Sequence, residues 1–145
     1  MSQHERTGWR DEEYSRRHRA YGKRLSMVDV DHFWFEYDTT NPVAGVECKE
    51  ANAQEVTLQT YSIRCLINIC NRLKIPGIFL RYHKKSDAEF FYDMVVPLNT
   101  FAKNHFNRTS NMSEGEFVKL LYKIRGIEPP SDDDLYWTIG WNTNA

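Results

Sequence analysis

At 145 residues, 41% apolar and 14% aromatic, the chain has the size of one domain and the means to bury a real core. A net charge of -1 excludes a protein that draws nucleic acid with its whole surface; such contact needs a local basic patch. The three cysteines, Cys48, Cys65 and Cys70, are odd in number and show no Cys-x-x-Cys spacing, which argues for free thiols in a reducing compartment and against a disulfide framework or zinc site.

Residues 1–10 read as loose and too polar for a signal peptide, and no apolar run approaches the roughly 18 residues that span a bilayer. No membrane partner is expected, and the expected compartment is the cytoplasm. From Asp11 to about Lys23 the chain is charged and rich in helix formers, a short surface helix ending near Gly22. Met27 to Asp38 reads as a strand with Asp29, Asp31, Phe33, Phe35 and Tyr37 on one face and His32, Trp34 and Glu36 on the other. Thr39-Thr40-Asn41-Pro42 is a turn, and Val43 to Lys49 returns as the second strand of a hairpin. Its parity groups Val43, Gly45, Glu47 and Lys49 against Ala44, Val46 and Cys48.

About Ala53 to Lys74 predicts a long helix. Val56, Thr60, Ile63, Ile67 and Cys70 form its apolar stripe, Leu66, Ile69 and Leu73 widen it, and Pro76-Gly77 ends it. Such a face is expected to pack on a sheet. Ile78 to His83 is a strand, Lys84 to Asp87 a polar turn, and Glu89 to Val96 another strand. Asn99 to Phe106 suggests a helical turn. Ser113-Glu114-Gly115-Glu116 is a capping box opening a helix with Phe117, Leu120, Leu121 and Ile124 on one face and a stop at Gly126. Residues 1–126 are thus expected to form the domain. Residues 127–145 form a tail in which Trp137, Ile139 and Trp141 dock. The order α-β-β-α-β-β-α predicts an α/β fold, a mixed sheet flanked by helices.

Chemistry concentrates in the hairpin. With the turn near Thr40 and Asn41, Asp31 lies across from Glu47 and Lys49, and parity lets all three share a face, with Phe33 and Phe35 covering its middle. Two converging carboxylates repel unless a cation joins them, and oxygen ligands with an open position suit Mg2+ or Mn2+. Asp31 and Glu47 are the expected metal ligands, with the Cys48 carbonyl as a third. Lys49 is expected to orient water or stabilise charge at a phosphodiester. Its neighbours should keep it charged. The histidines His18, His32 and His83 have no ligand spacing.

An Asp on one hairpin strand with Glu-x-Lys on the other, here Asp29-Val30-Asp31 followed by Val46-Glu47-Cys48-Lys49 and a helix, resembles the PD-(D/E)XK nuclease superfamily. The likeness spans residues 11–98 and looks like small bacterial and phage proteins of the Holliday-junction-resolvase kind. It implies a restriction-endonuclease-like sheet, a bacterial or phage-infected host cell, and often a homodimer. It also implies a carboxylate on the first helix, here Glu13 or Glu12, and a polar residue on the helix after the lysine, here Gln59 or alternatively Gln54. Val30 stands where the motif often has proline. Asp29 and Asp31 both fit the acid, and the hairpin puts Asp31 closer to Glu47.

The implied activity is metal-dependent hydrolysis of DNA, directed by structure or strand ends because no helix suits base reading; RNA remains an alternative substrate. Arg16, Arg17, Arg19, Lys23 and Arg24 form one basic cluster and Lys84 and Lys85 a second, which suit a phosphate backbone, with Arg81 and His83 extending the track. Two competing readings stand beside this one. The charges are cross-strand salt bridges of an exposed hairpin, or the chain is a non-catalytic nucleic-acid- or protein-binding module that retains the nuclease fold.

Overall fold

A computed structural model describes Glu13, Arg16, Arg17, Ala20, Val28 and residues 30–51, 58–86, 89–129 and 131. The hairpin pairs β1 (His32–Phe35) with β2 (Pro42–Glu50) in antiparallel register, His32 opposite Val46 and Phe33 opposite Gly45. α1 (Tyr61–Leu73) then crosses over to β3 (Gly77–Ser86), which runs parallel to β2. β4 (Glu89–Pro97) returns antiparallel to β3, and the short α2 (Thr100–Lys103) follows. β5 (Met112–Ser113) pairs antiparallel with β4 and leads into α3 (Glu114–Arg125). The result is a five-stranded mixed sheet in the order β1-β2-β3-β4-β5 with helices on both faces. No helix among the described residues is long and apolar enough to cross a membrane.

One face of the sheet carries Ala44, Val46, Ile78, Leu80 and Val95 and packs on Phe117, Leu120 and Leu121 of α3. The other carries Phe79 and Val96 and packs on Ile63 of α1, while Leu66 and Cys70 of α1 meet Val30, Phe33 and Leu98. The parity expected for β2 therefore sorts Ala44 to Cys48 between two cores, with Gly45 and Glu47 on the α1 side. Val43, expected on the face of Gly45, packs instead on the α3-side core, because Trp34 pairs with Ala44 and Phe35 with Pro42 and the ladder skips it. Gly45 is where α1 comes closest. A Cβ there would lie 2.6 Å from the Cys70 sulfur and 2.8 Å from Phe33, so only glycine lets helix, edge strand and sheet meet. The capping box is in place, with Ser113 Oγ accepting from the Glu116 N–H at 3.1 Å and donating to its carboxylate.

Several expected boundaries shift. β1 is four residues long and Asp31 lies just before it, so the strand expected from Met27 is shorter among the described residues. α1 starts at Tyr61, because Thr60 caps it by accepting from the Ile63 N–H. Thr60 is therefore a cap and not part of the stripe. Ile69 and Leu73, expected to widen that stripe, are exposed, since the contact with the sheet is only as broad as Ile63, Leu66 and Cys70. Lys74 (φ 58°), not Gly77, takes the left-handed position that ends α1, and Gly77 opens β3. β3 continues through Lys84 and Ser86, where a turn was expected, because it pairs with β4 as far as Ser86 opposite Glu89. Phe35, expected to be buried beside Phe33, is 57% exposed because the β1–β2 register slips between Trp34 and Phe35.

Glu13, Arg16, Arg17 and Ala20 are helical. The rest of the expected first helix lies outside the described residues, as do Trp137, Ile139 and Trp141 of the tail.

Candidate metal centre

The hairpin register brings the acids together. With His32 opposite Val46, Asp31 falls beside Glu47 and Cys48, and the Cys48 N–H donates to Asp31 Oδ2 at 2.7 Å. β1 has not yet begun at Asp31, so the side chain takes the place of a missing strand partner. One carboxylate oxygen of Asp31 is held this way, on a residue that is exposed. A residue's N–H and C=O leave a strand on the same side, so the Cys48 carbonyl also points toward the β1 edge.

Glu47 is 4% exposed, on the α1 face of β2 and level with Phe79 of β3. Among the described residues its one ion pair is with Lys49 Nζ at 3.1 Å, two residues along the same face. Burial raises the Glu47 pKa, the Lys49 hydrogen bond works against that, and the charge of Asp31 adds to the rise. The hydrogen bond to Glu47 raises the Lys49 pKa, so Lys49 is an ammonium at neutral pH. Burial, then the charges of Asp31 and Glu47, push the Cys48 thiol up to about 11, which removes it as a thiolate ligand and leaves its carbonyl.

Among the described residues no three His, Cys, Asp or Glu side chains gather as a metal-binding group. Two carboxylates and a backbone carbonyl remain as the donor set. That set suits magnesium or manganese, which keep several waters and need only one or two carboxylates. A buried, desolvated carboxylate beside a second acid is also the arrangement a cation relieves.

The remaining sequence candidates divide. Glu13 is exposed and engaged by Arg17 at 3.1 Å, while Arg16 is exposed on the same helical stretch. Gln59 sits in an exposed turn ahead of the Thr60 cap and not on α1, because the helix starts later than expected. Lys84 is exposed on β3 and lies over the Phe90 ring at 5.7 Å. Its parity with Leu80 and Tyr82 turns it to the face opposite Glu47 and Lys49, so it does not extend their surface. Lys85 lies within β3, and its side chain lies outside the described set. Asp29, Glu12, Gln54, Arg19, Lys23 and Arg24 also lie outside the described residues.

A second charged group lies on the Glu47 face and was only half visible in the sequence. Arg81 is level with Lys49 and clamps Asp93 through Nε at 3.0 Å and Nη2 at 2.7 Å, and His83 Nε2 meets the same carboxylate at 2.9 Å. Burial raises the Asp93 pKa, but the bonds from Arg81 and His83 outweigh it and hold the carboxyl below its usual range. Arg81 and His83 are legible as outward-alternating residues. Asp93 has its own signal, as the single charge inside the run Phe90-Phe91-Tyr92-Asp93-Met94-Val95. In comparison with known proteins, no family model, curated protein or solved structure matches the chain.

Proposed function

We propose that the chain is a metal-dependent deoxyribonuclease of the PD-(D/E)XK kind, hydrolysing phosphodiester bonds by structure or strand ends. The observation that carries this reading is the buried Glu47 carboxylate held against Lys49 while the backbone of the residue between them binds Asp31. The connectivity supports it as well. A hairpin bearing acid and Glu-x-Lys leads through one helix to a further strand of a mixed sheet, in keeping with the element order expected of a restriction-endonuclease-like fold.

Asp31, Glu47 and the Cys48 carbonyl would hold Mg2+ or Mn2+, which supplies Lewis acidity at phosphorus and makes water a better nucleophile. The protein's own groups divide the remaining work. The Cys48 N–H fixes the Asp31 carboxylate in one orientation. Burial fixes Glu47 and strengthens its field. Lys49, 40% exposed and charged, reaches from Glu47 toward solvent, where its N–H groups can donate to a phosphoryl oxygen as charge builds on it. Exposed Trp34, Phe35 and Tyr37 next to the β1 edge offer apolar surface for a second copy, in keeping with a homodimer.

The test is cleavage of plasmid, single-stranded, flap and four-way DNA, with RNA competitors, in magnesium or manganese. Lys49→Ala is expected to lose about a hundredfold or more of the rate. Equal cleavage by both proteins would remove the catalytic assignment. A second reading, a binding module that retains the nuclease fold, is favoured by the lack of a third side-chain ligand among the described residues. It predicts DNA or protein binding that metal does not alter and no cleavage.

A further inference from the structure

The Arg81, Asp93 and His83 group is built by an irregularity. β3 and β4 pair Arg81 with Met94 and then Tyr82 with Tyr92, so Asp93 is an extra residue bulged out of the ladder. The bulge carries its carboxylate to the α1 face, where Arg81 and His83 already point. Both Asp93 oxygens then accept hydrogen bonds, Oδ1 from Arg81 Nε and Oδ2 from Arg81 Nε and Nη2, with His83 Nε2 also at Oδ2. The Asp93 carboxylate serves as a bracket that sets the Arg81 guanidinium and the His83 ring. The His83 ring is fixed further by stacking on Phe91, centroids 4.9 Å apart and planes within 9°. Among the described residues, Nη1 of Arg81 and Nδ1 of His83 make no hydrogen bond, and both side chains keep about a third of their surface exposed (34% and 39%).

Position decides what these donors face. Arg81 is abreast of Lys49 on the neighbouring strand, and His83 is two residues farther along the same face. The group shared by Arg81 and His83 thus reaches about 6.6 Å along the strand beyond the level of Lys49, close to the step from one phosphate to the next of an extended nucleotide strand. The remaining Nη1–H groups of the guanidinium, and the Nδ1–H of His83 in its imidazolium form with Nε2–H on Asp93, are donors that suit phosphate oxygens.

We infer that Arg81 and His83 form a phosphate subsite that takes a phosphate flanking the scissile one on a DNA strand, with Asp93 as its positioning residue. The inference rests on the nuclease reading. It adds a binding register to it: the strand passes from the Glu47–Lys49 end along β3, on the α1 face and not on the face of Lys84.

The experiment uses the full chain and the DNA substrate that the wild-type protein cuts, with each phosphate around the cut bond replaced in turn by a neutral methylphosphonate. In the wild type, one flanking position is expected to raise KM about tenfold, the scale of a lost charged hydrogen bond. Arg81→Lys and His83→Gln should raise KM for unmodified DNA by a similar factor, with kcat within about twofold. At that one position, the methylphosphonate should then cost nothing more. A full methylphosphonate penalty persisting in both variants overturns the subsite while leaving the nuclease reading intact. No metal-dependent cleavage of any DNA by the wild type overturns both. Should Arg81→Lys disturb the bulge, seen as a lowered melting temperature, His83→Gln alone decides, since its side chain lies at the rim.

Discussion

Glu47 and Asn99 are both polar side chains almost wholly removed from water, 4% and 5% exposed, Glu47 within β2 and Asn99 beside the start of β3. Asn99 is neutral and fully used. Its Oδ1 accepts from the Gly77 N–H at 3.0 Å and the Ala102 N–H at 2.9 Å, and its Nδ2 donates to Ile75 O and Asn71 Oδ1. It joins the start of β3, the end of α1 and the cap of α2 in one knot. Glu47 is charged chemistry in an apolar place, with a single ion pair among the described residues and a second acid nearby. A buried amide with every bond made stabilises; a buried carboxylate with one partner costs stability. The contrast separates a polar group that serves the fold from one that the fold tolerates, and perturbed groups of the second kind concentrate at functional sites.

The sharpest way to break this contrast is to measure both functions of both residues. Glu47→Gln is expected to reduce metal-dependent cleavage by at least about a hundredfold, since even outer partners of a metal ligand cost 10–100-fold. Asn99→Ala should leave the activity per folded molecule unchanged. Stability should reverse the ranking. Asn99→Ala strips two buried backbone N–H groups of their acceptor and is expected to cost about 3 kcal/mol in urea unfolding. A smaller loss, about 1–3 kcal/mol, is expected from Gly45→Ala, because the added methyl forces Cys70 and Leu66 of α1 away from β2.

The next expected effect carries the sign of the Glu47 pKa. A carboxyl raised by burial adds stability in acid, below its unfolded pKa, and that stability is lost as pH rises through the folded pKa. In metal-free buffer, Glu47→Gln should therefore melt higher than the wild type at neutral pH, with the gain fading in acid. Adding Mn2+ should raise the melting temperature of the wild type and not of the variant. A neutral-pH loss on Glu47→Gln would make Glu47 a structural residue like Asn99. The smallest effect is expected at the surface. Arg125 holds Glu36 in a two-pronged pair at 2.6 and 2.8 Å, and that hydrogen bond lowers the Glu36 pKa. Its contribution is present above the usual glutamate pKa and lost as pH falls through the folded value. Arg125→Ala should flatten that part of the stability profile slightly, and salt should mask the difference.

Much of this architecture is written locally. Alternation along Ala44 to Cys48 sorts that strand between two cores because side-chain direction has period two, and Ser113 with Glu116 opens a helix by chemistry confined to four residues. The class, a mixed sheet flanked by helices, follows from the order of such segments. The nearness of Asp31 to Glu47 was also readable, since a short turn sets hairpin register. What the sequence did not reveal depends on partners distant along the chain. Whether Phe35 is buried turns on a slip in pairing; how far α1 reaches turns on the Thr60 cap and on how much sheet lies beneath it. Asp93 meets Arg81 and His83 only because the β3–β4 ladder bulges at that point, and Lys84 parts from them only because β3 runs on where a turn was expected. Periodicity reports which way a side chain points from its own element. Pairing register and packing decide what it meets there, and those energies belong to no single stretch of sequence.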